Sequence, residues 1–429
     1  ENLTVRDAFQ GIYAENAENV TIQNNVLILN AYGINLNSSR LATIQGNIAT
    51  NNTFGISLMN SSNCIIKNNT ATNNYGGHPD LRIGGGILLV DANSNTVINN
   101  FLTKNIIGIS LGRSYNNMVI QNIIVENREP VYGWMEGGIE VGNSDENIIA
   151  NNTIIKDYII VSASCRNTIK GNVILNGGGI GTGSGFDNMF YRNVISGCDV
   201  GFTMEQARDF FVGNLIVNNT YGIFIHFSNG STFYHNILIN NTVQVPKDVY
   251  PNVNVWDNGH EGNYWSNYTG ADLDMDAIGD TPHMLDELNM DRYPLMAPIN
   301  IFDAGTWNGV EQQIHIISNS TIMNFQINKT QAKISFNVTG ETGLGFCRAT
   351  ISNIIVQEMW NKNYTVLVDD AEPIFMKNWT DGTSTYIYFT YQHTEHMVII
   401  IPEFISNMLL PLLMLTTTLS IFFRKKLKH

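Results

Sequence analysis

The segment Asn19-Val20-Thr21-Ile22-Gln23-Asn24 places two asparagines five residues apart around a short run with an apolar centre. The same arrangement returns as Asn63-Cys64-Ile65-Ile66-Lys67-Asn68. The later asparagine recurs at intervals of mostly about 20 to 22 residues, with Gly46 in the one gap, at Asn24, Asn68, Asn100, Asn122, Asn152, Asn172, Asn193, Asn214 and Asn236. A fixed repeat of this length is the sequence signature of a solenoid.

Two further positions recur in each repeat. The earlier asparagine returns at Asn19, Asn63, Asn95, Asn117, Asn147, Asn167 and Asn188. A glycine followed by an apolar residue precedes the later asparagine, at Gly11, Gly33, Gly55, Gly86, Gly108, Gly138, Gly201 and Gly222. Coils with β-branched segments and Gly or Asn corners are typical of a parallel β-helix. No window shows the apolar stripe of a helical repeat. We therefore predict an all-β chain whose residues 1–248 form a right-handed parallel β-helix.

This β-helix has about ten rungs and a length of roughly 45 Å at the usual strand spacing. The asparagines of successive rungs lie close enough to hydrogen-bond through their side-chain amides, as stacked asparagines do in cross-β structures. We therefore interpret the asparagine series as an internal scaffold. Two of its intervals are longer by about eight to ten residues, and the series stops at Asn236. These irregularities are where we expect function.

Composition excludes several classes of protein. The 429 residues carry a formal net charge of −14, and only 14% of them are charged, so no basic stripe is available for nucleic acid. Four cysteines, Cys64, Cys165, Cys198 and Cys347, are too few and too scattered for a disulfide scaffold. Cys64 lies in an apolar run, where we expect a small buried hydrophobe.

The repeat ends before residue 249, and three further segments follow. Residues 249–300 are rich in Asp, Asn and Trp and form a predicted cap, in which Trp256 and Trp265 cover the open end of the solenoid. Residues 301–401 contain alternating runs that predict an immunoglobulin-like β-sandwich. Residues 402–429 include the apolar stretch 405–423 followed by basic residues. That stretch predicts a transmembrane anchor or sorting tail with a cytoplasmic C-terminus, the alternative being a buried core helix. Since Glu1 enters the first rung directly, we expect a mature or truncated chain.

The segment after the repeat carries a family resemblance. It contains Trp256-Asp257-Asn258-Gly259, Gly262-Asn263-Tyr264-Trp265, Asp272 to Pro282, and Asn289 to Met296. This string resembles the closing segment of NosD-like β-helix proteins, and the rungs resemble their carbohydrate-binding and sugar-hydrolase repeats. Pro402-Glu403-Phe404 before the apolar stretch is similar to the sorting signal of archaeal cell-surface proteins. The resemblance covers nearly the whole chain and implies an archaeal surface protein.

Copper is associated with the family by name. Soft Cu(I) requires clustered Met and Cys, whereas Cu(II) prefers grouped His. His226 and His235 are separated by nearly half a rung, and His393 and His396 belong to another predicted domain. We therefore expect no copper site.

A hard cation has a better candidate in the cap. Carboxylates alternate along Asp272, Asp274 and Asp276, followed by Asp280, and the Ile278 carbonyl offers a further oxygen. Alternating carboxylates are typical of calcium loops. The family pattern has glycines where this chain has Met275 and Ala277, and His283 replaces the bidentate Glu of an EF-hand. The sequence therefore predicts a weak structural calcium site.

The two long intervals predict loops on one face of the solenoid, two rungs apart, at about residues 73–85 and 126–137. They bring together mixed charges and aromatic residues that suit sugar hydroxyls and sugar rings. The predicted glycan-binding residues are Asp80, Arg82, Lys104, Arg128, Tyr132 and Trp134. No catalytic residue is assigned, although Glu129 and Glu136 are weak candidates for paired-carboxylate hydrolysis.

Many Asn-x-Ser/Thr sequons agree with an extracellular location. The predicted acceptors lie beyond the repeat, at Asn319, Asn328, Asn337, Asn363 and Asn378. Asn68, as a ladder residue, is expected to be buried and a poor acceptor. Altogether, the sequence favours a membrane-anchored structural or adhesive surface protein that binds glycans or neighbouring surface proteins. The alternatives are a polysaccharide lyase or glycoside hydrolase, and a surface-layer or filament subunit joined end to end through its first rung.

Overall fold

The computed structural model describes residues 1–75, 84–127, 137–247 and 252–403. These residues are almost entirely β-structure, with one short α-helix, Asn353–Trp360. They divide into two compact units. The first comprises Glu1–Leu273 and Ile278–Ile299, and the second comprises Asp274–Ala277 and the described residues from Asn300 onward.

Three parallel sheets run the length of the first unit, and each rung contributes one strand to each sheet. The first sheet contains Thr4–Arg6, Val26–Ile28, Ile48–Thr50, Thr70–Thr72, Phe101–Thr103, Ile123–Val125, Thr153–Ile155, Val173–Leu175, Val194–Ser196, Leu215–Val217, Ile237–Ile239 and Tyr264–Trp265. The second contains Gln10–Glu15, Tyr32–Asn37, Phe54–Met59, Gly85–Val90, Ile109–Gly112, Ile139–Gly142, Tyr158–Ser162, Gly179–Gly183, Val200–Glu205 and Tyr221–His226. The third contains Thr21–Gln23, Thr43–Gln45, Ile65–Lys67, Thr96–Ile98, Met118–Ile120, Ile148–Ala150, Thr168–Lys170, Phe186–Tyr191, Arg208–Val212 and Thr232–Tyr234.

The strands are short because each rung needs only one or two inward side chains per sheet. In the first sheet the central residue points inward and its two neighbours point outward, as the alternation of a strand requires. The inward residues stack from rung to rung in register, for example Leu27 on Ala49. Together they form one continuous apolar core. Full burial of each Ile or Leu contributes about 1.5–3 kcal/mol. The predicted parallel β-helix of about ten rungs is confirmed.

The predicted phase of the asparagine ladder was wrong in its first three rungs. Asn24 and Asn68 have left-handed φ angles of 56° and 54° and are exposed, and Gly46 occupies the same corner position with φ 63°. The buried ladder residues are their neighbours, Asn25, Asn47 and Asn69. The corner of each rung needs one residue in the left-handed region, and the next residue points inward. When both residues are Asn, the sequence does not show which of them turns the chain and which is buried.

The ladder also continues beyond its predicted end. Asn236 Nδ2 donates to Asn263 Oδ1 at 2.9 Å, and Asn263 N donates to Asp291 Oδ2 at 2.7 Å. The series therefore runs through the cap segment and ends on a carboxylate.

The second predicted series was shifted in the same way. Asn19 and Asn63 have left-handed φ angles of 55° and 56°, and the buried position in that rung belongs to Cys64. The burial expected for Cys64 is confirmed, although the residue lies at the ladder corner before its strand. Two further ladders were not recognised in the sequence. One is formed by Asn30, Asn52, Asn74, Asn105, Asn127 and Asp157. The other is formed by Ser39 and Ser61 and, after an interruption at Ala92, by Ser114, Ser144 and Ser164.

Aromatic side chains complete the core at the C-terminal end of the first unit. Phe211, Phe233 and Trp256 stack with centroid separations of 4.6 and 4.3 Å. Trp265 is buried beside them, and its Nε1 donates to Asp291 Oδ2 at 2.8 Å. A two-stranded antiparallel hairpin follows, His283–Met284 with Met290–Asp291. The two tryptophans therefore extend the core into the cap segment.

The second unit is a sandwich of two antiparallel sheets around one apolar core. The five-stranded sheet has the order Ile299–Trp307, Val310–Ser318, Gly343–Ser352, Ser384–His393 and Phe375–Thr380. The four-stranded sheet has the order Thr321–Asn328, Lys333–Thr339, His396–Pro402 and Tyr364–Val368. The β-sandwich architecture predicted for this region is confirmed. Ser352 caps the short helix by accepting a hydrogen bond from Ile354 N.

Within the part of the chain that the structure describes, no helix is both long and apolar enough to cross a membrane. The predicted anchor at 405–423 lies outside the described residues.

Candidate functional site

Both long intervals insert residues at the same corner of the solenoid. Residues 76–83 fall between the first-sheet strand Thr70–Thr72 and the second-sheet strand Gly85–Val90. Residues 128–136 fall between Ile123–Val125 and Ile139–Gly142, two rungs further on. The inserts therefore enter at equivalent positions, as the sequence predicts. The residues that they carry lie outside the described part of the chain: Asp80, Arg82, Arg128, Tyr132, Trp134, Glu129 and Glu136.

Lys104, the remaining predicted glycan-binding residue, lies at this corner in the intervening rung. It is exposed and has a left-handed φ of 55°. Glu126 occupies the next rung, and its Oε1 lies 2.6 Å from Lys156 Nζ in the rung after it. The hydrogen bond from Lys156 lowers the pKa of Glu126, and the charge of Lys104 acts in the same direction. The corner thus carries a row of alternating charges that hold Glu126 ionised.

Beside this corner, the outward face of the second sheet carries a row of polar residues in register. Tyr13, Asn35 and Ser57 are successive partners in the parallel ladder, and the row continues through Leu88 to Ser110. Asn35 is 6% exposed and Ser57 0%, although both point away from the core. We call Tyr13, Asn35, Ser57 and Ser110 the polar face.

Two atoms of the polar face have no hydrogen-bond partner among the residues that the structure describes. Asn35 Nδ2 donates to Gln10 Oε1 at 3.1 Å, but Asn35 Oδ1 and Ser57 Oγ are enclosed and unpaired. Unpaired enclosed polar atoms are rare in folded proteins and point to a bound water or ligand. An amide oxygen and a hydroxyl, side by side, match the hydrogen-bonding pattern of a hydroxyl-rich ligand.

Aromatic rings border the polar face. Tyr32 and Phe54 stack at 5.1 Å between centroids, and Phe9 meets Tyr32 edge to face at 6.0 Å. Gln10, Tyr32 and Phe54 are register partners, so the contact of Gln10 with Asn35 places this column next to the polar row. Sugar-binding sites combine aromatic surfaces with a few directed polar groups.

The polar face was missed in the sequence analysis. Its signal was available in the outward positions of the second sheet, which are Asn, Ser and Tyr in the early rungs. The equivalent positions of the first sheet are mostly aliphatic.

The acidic loop places one carboxylate oxygen each from Asp272, Asp274 and Asp276 within 4.8 Å of one another. Met275 and Ala277 have φ angles of 60° and 65°, which explains the glycines of the family pattern at these positions. Asp280 uses its Oδ2 to accept a hydrogen bond from Leu273 N at 2.6 Å. Ile278 forms an isolated bridge with Leu295.

His283, which stands where an EF-hand has its Glu, packs against two aromatic rings of the cap. Its ring lies 4.9 Å from that of Trp265 and 5.8 Å from that of Tyr268, and burial lowers its pKa.

The predicted glycosylation sites lie on strands or turns of the sandwich. Asn319, Asn328, Asn363 and Asn378 are exposed, whereas Asn337 is half-buried on its strand. Asn319 Nδ2 donates to Leu344 O at 3.0 Å, so its amide is already engaged. The expectation for Asn68 was wrong, because Asn69 takes the buried position and Asn68 is exposed.

Comparison with known proteins gives one family match. Residues 1–137 and 131–270 match the model of the family described as periplasmic copper-binding protein (NosD). No curated protein matches the chain significantly.

Several solved structures are similar in part. The Dettilon tailspike protein is 12% identical, with a TM-score of 0.49, covering 93% of this chain and 87% of its own. PfbA, a surface adhesin of Streptococcus pneumoniae, is 13% identical, with a TM-score of 0.37, covering 54% of this chain and 71% of its own. A variant tailspike protein of E. coli bacteriophage HK620, in complex with pentasaccharide, is 11% identical, with a TM-score of 0.39, covering 90% and 75%. At these identities, the functions of those proteins do not transfer to this chain.

Proposed function

The chain belongs to the NosD family, and from this premise we propose that it is an extracytoplasmic β-helix protein that binds glycans along its polar face. The family is described as periplasmic, which supports a location outside the cytoplasm. We propose a structural or adhesive role for the protein, because the described residues of the polar face do not form a recognisable catalytic site.

The unpaired Asn35 Oδ1 and Ser57 Oγ carry the proposal. Because both atoms are enclosed, a sugar hydroxyl reaches them only by displacing the groups that cover them. It then donates to one oxygen and exchanges a hydrogen bond with the other, while the neighbouring Tyr32 and Phe54 rings offer an apolar surface. The spacing of about 4.8 Å between rungs is close to the length of one sugar ring, so a chain of sugars can follow successive rungs.

A glycan array with the full chain, followed by calorimetry on the best ligand, tests this proposal. We expect the double variant Asn35→Ala/Ser57→Ala to bind at least about tenfold more weakly, since each lost hydrogen bond removes about 1 kcal/mol. The matched control is Thr43→Ala/Gln45→Ala, on the third-sheet strand that lies between Asn35 and Ser57 in the chain. Equal affinity of both double variants, or no ligand on the array, would overturn the proposal. Shortened products during the incubation would favour the enzymatic alternative instead.

We also propose a weak structural calcium site in the acidic loop. The clustering of Asp272, Asp274 and Asp276 supports it, with an affinity in the extracellular range of about 10⁻⁴ to 10⁻³ M. Millimolar calcium should raise the melting temperature of the full chain, and Asp274→Asn should abolish that rise. The Asp286→Asn variant, outside the loop, serves as the control. An unchanged melting temperature after EDTA treatment and calcium addition removes this claim.

The anchor and the glycans remain proposals of the same kind. We propose that 405–423 retains the chain at a membrane and that the exposed sequons Asn328, Asn363 and Asn378 accept glycans, as does Asn319 when its amide leaves the Leu344 carbonyl. Intact mass measurement of the chain purified from its native source tests the glycans, because each occupied site adds a discrete mass that Asn→Gln removes.

The cysteines do not fit the copper site that the family description implies. Cys64 and Cys198 are buried in different rungs, and their thiols face the carbonyls of Ser62 and Ser196 at 3.3 and 3.6 Å. Burial raises the pKa of both thiols, which favours the protonated form that does not ligate metal. Cys64 and Cys198 therefore lie in separate rungs in an environment that disfavours the thiolate, whereas Cu(I) requires clustered sulfur donors.

A further inference from the structure

The outward face of the first sheet is uncharged over ten consecutive rungs. Between Val26–Ile28 and Ile237–Ile239, the first and third residues of the ten strands supply 20 outward positions. Fourteen are aliphatic or aromatic, six are Thr or Ser, and none is charged. We call these positions the aliphatic face.

This surface is accessible to solvent. Ile48 is 44% exposed, Phe101 42% and Ile123 47%. The other two sheets differ, because Lys67 and Lys170 lie at outward positions of the third sheet, and Glu140 lies on the second. The aliphatic face is therefore a property of one sheet and not of the solenoid as a whole.

We propose that the aliphatic face is a dimer interface, covered by the aliphatic face of a second copy of this chain. A standard interface buries about 800 Å² per partner with about 20–30 residues on each side. The 20 outward positions of this face reach that size on the first sheet alone. Two flat sheets then pack at about 10 Å, as the layers of a β-sandwich do.

The absence of charge on the aliphatic face makes it the surface on which two copies can approach with the least repulsion. The chain carries a net charge of −14, so two copies repel one another wherever their charged surfaces approach. An uncharged face removes that repulsion at the contact and offers no ionic group to select an oppositely charged partner. A two-fold arrangement of identical faces closes at the dimer and leaves no aliphatic edge for further growth. This inference rests on the fold and is independent of glycan binding.

Sedimentation velocity of the full chain across a concentration series tests the dimer. We expect the wild type to sediment at twice the chain mass of 47.8 kDa. The double variant Ile48→Lys/Ile123→Lys should raise the dissociation constant at least about a hundredfold, because each lysine would be buried unpaired. The control Ile65→Lys/Met118→Lys changes residues of 40% and 39% exposure on the third sheet and should dimerise like the wild type.

Far-ultraviolet circular dichroism and melting curves must show that both double variants fold. A monomeric wild type at every concentration, or equal dimerisation of the two variants, would overturn the proposal. Long end-to-end polymers that both variants retain would also overturn it. A final experiment measures binding of the proteins to phosphatidylcholine vesicles. If the wild type binds and only Ile48→Lys/Ile123→Lys loses binding, the aliphatic face contacts lipid, and the dimer proposal is overturned.

Discussion

Neighbouring asparagines of one corner have opposite environments in this solenoid. Asn152 is fully buried, and its Oδ1 accepts from Asn122 N and Nδ2 at 2.9 and 3.0 Å. Its own Nδ2 donates to Val119 O and to Asn172 Oδ1, both at 2.9 Å. Asn151, one residue earlier, is exposed with φ 55° and turns the chain. Position relative to the corner, and not residue type, decides which asparagine stabilises the fold.

The first prediction follows from this contrast. Asn152→Ala should lower the free energy of unfolding by about 3 kcal/mol, because it leaves the buried amide of Asn122 and the carbonyl of Val119 unpaired. Glycine adopts the left-handed conformation readily, so Asn151→Gly should change the free energy of unfolding by less than about 0.5 kcal/mol. Urea denaturation followed by circular dichroism measures both. Equal midpoints for the two variants would contradict the ladder's role.

The second prediction concerns the glycines before the second sheet. A Cβ on Gly55 would lie 2.6 Å from the carbonyl oxygen of Gly86 in the next rung, which is backbone and cannot move aside. Gly55→Ala should therefore destabilise the chain by about 1–3 kcal/mol. Gly112→Ala, where a Cβ meets nothing within 4 Å, is the control. The same urea titration should give a lower midpoint for Gly55→Ala than for Gly112→Ala. Identical curves would contradict the prediction and show that the distance between successive rungs can increase to accommodate a Cβ.

At the scale of the element, three of the asparagine runs end on aspartate, whereas the run through Asn219 and Asn241 ends on Gln244. Each ladder amide accepts from the preceding rung and donates to the following one, so the last residue needs only to accept. Asp157, Asp209 and Asp291 meet this need at the ends of three runs. A carboxylate receives the final donors without presenting an amide hydrogen that would stay unpaired. Burial nevertheless raises the pKa of Asp209, and that of Asp291 to about 6.

The third prediction uses this pKa. Because the folded pKa of Asp291 lies above its ordinary value of 3.8, its stabilisation is complete below about pH 4 and is lost as pH rises through 6. A difference of about two pKa units corresponds to about 3 kcal/mol. Asp291→Asn cannot ionise, so its melting temperature relative to the wild type should rise between pH 4 and 6.5. Parallel pH profiles of the two proteins would refute this assignment.

At the scale of the whole molecule, the core and the amide ladders stabilise the solenoid more than its ion pairs do. Pairs such as Arg113–Asp91 and Arg40–Glu18 join successive rungs, but their side chains are 42% to 62% exposed. Exposed pairs contribute about 0–1 kcal/mol and are screened by salt. The net charge of −14 destabilises the folded chain by self-repulsion. Salt screens this repulsion as well as the attraction within the ion pairs.

The fourth prediction follows from that balance. The melting temperature at about 1 M sodium chloride should equal or exceed that at low salt, since screening removes repulsion as well as attraction. Differential scanning calorimetry across a salt series measures it. A large fall in melting temperature with salt would show that the inter-rung ion pairs matter more than the buried amides.

Much of the architecture was predictable because periodicity is a local property of the chain. The repeat length and the alternating runs of the sandwich both follow from neighbouring residues, whereas the number of strands per rung came from the structure. The phase of the ladder was not predictable in Asn-Asn pairs such as Asn24 and Asn25, since either residue can turn the corner. The continuation of the ladder to Asn263 and Asp291 also escaped prediction, because the rungs beyond Asn236 lose the regular interval.

The amino-acid sequence by itself determined the β-helix, the corner at which both inserts enter, and the acidic loop, because each depends on spacing along the chain. Only the tertiary structure decided which atoms lie enclosed without partners at Asn35 and Ser57, and that one sheet presents an uncharged face. Both arise from stacking: residues about 22 positions apart become neighbours, and their hydrogen bonding and charge are then set by the rung above and the rung below. The asparagine repeat creates these contacts, and it thereby aligns the outward residues that form the polar face and the aliphatic face.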